Sequence, residues 1–95
     1  MYLHIGQNFV VRTSDIVGIF DMDTSTTQKH TRNFLNENEK MNNLCVLSQD
    51  LPKSFVVCEN RTGPSVFVTP LNSSTIMKRL AGDLQREGFV NNAQT

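Results

Sequence analysis

Two runs in the second half of the chain, Phe55-Val56-Val57-Cys58 and Val66-Phe67-Val68, are apolar at every position. Successive residues of a strand point to opposite faces, so a sheet with one wet face alternates apolar and polar residues. These runs do not alternate, and a sheet built on them must be covered on both sides. Between them, Asn60-Arg61-Thr62-Gly63-Pro64 is dense in turn formers and predicts a hairpin with a longer loop. A chain of 95 residues buries only roughly 60–65% of its unfolded surface, so covering material is scarce. Two amphipathic helices suffice for one face. A second copy of the chain is the preferred cover for the other, and a sheet sandwiched between its own two helices is the alternative.

The rest of the sequence reads as one α+β domain over residues 1–88 followed by a polar tail over 89–95. Met1 to Ile5 and Phe9 to Val11 are strand-like and meet in a hairpin about Gly6-Gln7-Asn8; Val17 to Phe20 forms a third strand ending at Asp21. Leu44 to Leu47, Ser54 to Glu59 and Ser65 to Thr69 complete a mostly antiparallel sheet of about five to six strands. Thr24-Ser25-Thr26-Thr27 is an N-cap cluster. After it Thr27, Thr31, Phe34, Leu35, Asn38 and Met41 recur at helical spacing and predict about four turns, stopping at Asn42-Asn43. A second helix runs from Ser74 to Glu87 with Gly88 as its C-terminal cap. Ile76, Met77, Leu80, Ala81 and Leu84 form its apolar face.

Charge narrows the choice of partner. Nine basic residues balance nine acidic ones, whereas a monomeric nucleic-acid binder depends on a basic excess. The balance is uneven along the chain: residues 1–52 hold four basic and six acidic groups, and residues 53–95 hold five and three. A modest basic face is therefore allowed. No charged-then-apolar leader and no run of membrane-spanning length is present in the 95 residues, which predicts a cytoplasmic protein with reduced thiols and no membrane partner.

The segment Pro70-Leu71-Asn72-Ser73-Ser74-Thr75-Ile76-Met77-Lys78-Arg79 joins a helix start to two cations. Helix N-termini favour anions, because their N–H groups are unpaired and the macrodipole is positive there. Ser73, Ser74 and Thr75 add hydroxyls, and Lys78 and Arg79 add charge one turn further on. Lys53 and Arg61 flank the central hairpin and are candidates for the same work, phosphate contact. Arg12 is of this kind too, offset by Asp15 nearby. Asp21-x-Asp23 offers two carboxylates, too few for a metal site. Neither histidine has an acid partner at a useful spacing, and no phosphate loop, zinc spacing or nucleotide fingerprint occurs. A non-enzymatic protein without cofactor or metal is the expectation.

Four blocks in order, Met1-Tyr2-Leu3-His4-Ile5-Gly6, Asp15-Ile16-Val17-Gly18-Ile19-Phe20-Asp21, Pro52-Lys53-Ser54-Phe55-Val56-Val57 and Ser73-Ser74-Thr75-Ile76-Met77-Lys78-Arg79, carry a family likeness. Over about residues 1 to 80 the chain resembles the small bacterial family of extracellular matrix regulators, RemA and RemB, and the RemB branch more closely. The resemblance implies a compact α+β domain that assembles into a ring-like homo-oligomer. It also implies double-stranded DNA laid along the repeated basic surface, in control of biofilm matrix genes. Repetition would let a neutral protomer present a continuous basic band. The RemA-type pattern has arginines before the central strand and near the first helical turn. Here those places hold Asp50-Leu51-Pro52-Lys53 and Asp15. Only Lys53 keeps the charge, which admits a second reading, an adaptor ring whose partner is another protein.

Overall fold

The two apolar runs form the middle of a four-stranded sheet in the structure, a computed structural model that describes residues 1–6, 8–22 and 29–86. In chain order the strands are β1 (Tyr2–Gly6), β2 (Phe9–Arg12), β3 (Ile16–Asp21), β4 (Leu44–Val46), β5 (Ser54–Asn60) and β6 (Gly63–Thr69). The helices are α1 (Lys29–Lys40) and α2 (Ser73–Arg86), and one 3₁₀ turn over Thr13–Asp15 joins β2 to β3. The larger sheet has the order β3-β5-β6-β4, antiparallel except where β4 runs parallel to β6. Among the described residues β1 and β2 pair only with each other. The six strands therefore divide into sheets of two and four, where the sequence reading expected one sheet.

That division resolves the covering problem. On one face of the sheet Val56 and Cys58 pack with Leu3, Ile5 and Val11 of the hairpin and with Ile76 of α2. On the other face Phe55, Val66 and Val68 pack with Leu35 of α1 and with Met22 and Leu44. Each face is covered from within the chain, so the expectation that a second copy covers one of them is corrected. The β1–β2 hairpin is a layer rather than an extension of the sheet: Leu3, Ile5 and Val11 point one way and bury themselves on β5. The sandwich is the arrangement that formed.

The ends of the sheet are pinned by side chains. Thr69 is fully buried, and its hydroxyl donates to the Ile5 carbonyl and accepts from the Leu71 N–H at 3.2 Å. Ser54 Oγ donates to the Leu71 carbonyl at 2.7 Å. One knot thus ties β1, β5 and β6 to the segment leading into α2. Gly6 lies beside it at φ 151°, where a Cβ would stand 2.8 Å from Thr69 Oγ1. Neither the dihedral nor the space admits a side chain.

At the opposite end of the sheet the turn is tighter than expected. Asn60 pairs with Gly63, leaving Arg61 and Thr62 alone to reverse the chain. Asn60 Oδ1 accepts from the Thr62 N–H at 2.9 Å and from its hydroxyl at 2.6 Å, an Asx turn that makes a longer loop unnecessary. α1 ends as the sequence implies, with Asn42 at φ 60° and the Asn43 N–H on the Asn38 carbonyl at 2.8 Å. Met41 is exposed, outside the stripe assigned to it, and so is Met77 of α2. The Thr24–Thr27 cluster, Asp23, Gly88 and the tail 89–95 lie outside the described residues.

Cys58 sits beneath the hairpin, and burial, with the Asp15 carboxylate second, raises its thiol from 9.0 to about 11. The folded protein thus holds a proton that the unfolded chain releases at lower pH. Its contribution to stability is complete below about pH 9 and is lost as pH rises towards 11. Urea melts at pH 8 and 10.5 should show a stability loss in the native sequence that is smaller in Cys58→Ala. Equal pH dependence in both would mean the thiol is not buried as described.

Candidate nucleic-acid interface

The candidate cations occupy two separate places. Lys53 is exposed at the entrance to β5, its N–H on the Thr69 carbonyl and its own carbonyl accepting from Met22, each at 2.9 Å. The Ser54–Leu71 hydrogen bond holds this point against the lead into α2. Lys53 therefore lies at the same end of the sheet as Ser73, Ser74 and Thr75, with Ser73 and Thr75 half-buried and Ser74 exposed. α2 begins at Ser73, and the Ile76 N–H donates to the Asn72 carbonyl at 3.2 Å. Lys78 is exposed between one and two turns along.

Arg79 is exposed as well, but Nη1 donates to the His4 carbonyl at 3.3 Å and so fastens α2 to β1. Its charge is available at the surface while part of its donor set is committed to the fold. Arg61 is elsewhere. It occupies the β5–β6 turn, separated from Lys53 by the seven residues of β5, a span of roughly 25 Å at about 3.3 Å per residue. The structure thus brings Lys53, the α2 start and Lys78 to one end and leaves Arg61 at the other.

Two features escaped the sequence. Arg12 ends β2 and lines a cavity with Arg61, although 49 positions separate them in the chain. Asp15 lines the same cavity, yet among the described residues it forms no ion pair with either arginine, so the expected offset of Arg12 by Asp15 is not a direct contact. No local pattern signals this meeting, which depends on how the hairpin docks. The second feature is the outer edge of β3, which no described strand pairs. A bulge between Ile16 and Gly18 turns Val17 outward, and Val17, Phe20, Phe34 and Met77 are all exposed along it. Grooves flank the edge on both sides, one against α1 and one against α2. The run Val17-Gly18-Ile19-Phe20 carried that signal, since it too fails to alternate.

Among the described residues no three His, Cys, Asp or Glu side chains gather as a metal site, and no helix is long and apolar enough to cross a membrane. Fold and surface together define a small α+β domain with exposed cations at both ends of one sheet and an apolar strand edge beside them. The chain belongs to the RemA-like family: the family model described as extracellular matrix regulatory protein A-like matches residues 2–80. It is 41% identical over 80 residues to extracellular matrix regulatory protein B of Bacillus subtilis (strain 168), covering 83% of this chain and 89% of that protein. The resemblance noted from the four sequence blocks is thereby confirmed, down to the B branch.

Proposed function

We propose that the protein is a non-enzymatic, cytoplasmic regulator of transcription that binds double-stranded DNA through phosphate contacts repeated around a ring-like homo-oligomer. Its regulatory character rests on the likeness to extracellular matrix regulatory protein B. The observation that carries the DNA reading is the convergence of Lys53, the α2 start and Lys78 at one end of the sheet. Arg79 and Arg61 extend the contact set. These cations are on flexible stems facing solvent, which suits backbone phosphate rather than base edges. One neutral protomer offers too few of them, so affinity comes from many copies. The apolar edge of β3 supplies the self-contact.

Labelled duplex titrated by anisotropy tests this reading at low and at physiological salt. Binding should weaken steeply with salt. The double change Lys53→Ala, Lys78→Ala should weaken it about tenfold on any sequence and flatten the salt slope. Both side chains are exposed, so the fold is preserved. Unchanged affinity removes these residues, and no binding at low salt removes DNA. The neutral charge then favours a second reading, an adaptor ring binding another protein, which predicts a stoichiometric protein partner and no nucleic acid in the purified sample.

A further inference from the structure

Arg12 and Arg61 meet in a cleft between the hairpin and the β5–β6 turn, a cavity of about 520 Å³ that Asp15, Asn60 and Thr62 complete. Among the described residues no hydrogen bond or ion pair engages either guanidinium. Two guanidinium groups lining one concavity add their positive potentials there, which favours an anion between them. Their planar forks match phosphate in a bidentate manner. Asn60 adds to this donor set. Its Oδ1 is occupied by Thr62, which leaves the amide NH₂ free to donate.

The cleft continues along β2 into a second cavity of about 210 Å³ that shares Arg12, Asp15 and Asn60. Here the wall is aromatic: Phe9 packs on Phe67 with ring centroids 5.0 Å apart, and Tyr2, opposite Arg12 in the ladder, is exposed at its margin. Aromatic faces of this kind stack planar bases of any identity. Asp15, half-buried, lines both chambers. As a pure acceptor it suits sugar hydroxyls, and its charge disfavours a long polyanion passing through.

We propose that this cleft binds a nucleoside phosphate, with the phosphate between Arg12 and Arg61, the sugar hydroxyls on Asp15 and the base against Phe9. The site lies at the far end of the sheet from Lys53 and α2 and does not rest on the duplex-binding reading. Its ligand is either a free mononucleotide or the terminal nucleotide of a strand.

Isothermal calorimetry on the full chain with AMP, GMP, CMP and UMP tests the assignment, with adenosine and inorganic phosphate as half-ligands. At least one mononucleotide should bind about tenfold or more tightly than either half-ligand. Arg12→Gln and Arg61→Gln should each weaken it about tenfold, the loss expected for a charge-assisted contact. Both side chains are exposed, and matching thermal melts will show that the variants fold. Lys78→Ala, which weakens duplex binding if that reading holds, should leave mononucleotide binding unchanged. A 5′-phosphorylated ribodinucleotide, whose first sugar keeps its 2′-hydroxyl, separates the sources: tighter binding than AMP assigns a strand end, weaker binding a free nucleotide. Absence of binding by all four mononucleotides and the dinucleotide, or binding indifferent to both arginine changes, overturns the proposal.

Discussion

Replacing Phe55 by Ala should cost about 3–5 kcal/mol of folding stability, roughly half of what a domain of this size has to lose. Phe55 is 2% exposed and is the largest fully buried side chain among the described residues. Its ring stacks on Phe20 of β3 at 5.1 Å and 20°, and its ladder neighbours are Phe20 and Val68. The residue therefore joins three strands and carries the contact with α1. A groove lined by Phe20, His30, Phe34 and Phe55 already opens above it, so truncation enlarges a hollow that water can reach. Phe55→Leu, which keeps most of the volume, should cost less than half as much. Denaturant melts decide the matter, and a loss under 1 kcal/mol for Phe55→Ala would mean that α1 does not lean on this ring.

The second large effect is on assembly. If copies of the chain associate through β3 as proposed, Val17→Asp should leave the fold intact and yield single chains. Val17 is 65% exposed at the bulge, so a carboxylate there stays hydrated in the protomer and disturbs its stability little. In an apolar contact between copies the same carboxylate loses its water, at a cost of several kcal/mol. Free strand edges usually carry charge or proline to prevent pairing. β3 instead presents Val17 and Phe20 there. Light scattering at matched concentration reads the outcome, and equal masses for both proteins would exclude this edge as the contact.

Much of the fold was legible because its signals are local. The central hairpin followed from consecutive apolar residues around a turn, and the end of α1 from Asn42-Asn43. That Lys53 and Lys78 face solvent was legible too, from charge at a strand entry and off the apolar stripe of a helix. What the sequence concealed depends on docking. The hairpin lies over β5 instead of pairing with it, because Leu3, Ile5 and Val11 are directed at one face, and alternation alone does not say which surface receives them. Arg12 was set aside for its neighbour Asp15, whereas the fold sets it beside Arg61. Met77 fits the apolar spacing of α2 yet stands exposed, since the helix covers the sheet only up to the margin of β3.

The two margins of the larger sheet are unlike, and that asymmetry limits the symmetry of any assembly. β3 offers six residues with apolar flanks, while β4 offers three. If β3 meets the β3 of a second chain, the contact is isologous and saturates at a pair. A closed circle of more than two chains then needs a further, different interface on every protomer, and its subunit number is even. If β3 meets another surface instead, the contact is heterologous, one rotation repeats around the circle, and odd numbers become accessible. Counting subunits therefore reveals which surface faces β3: an odd count rules out the self-paired edge.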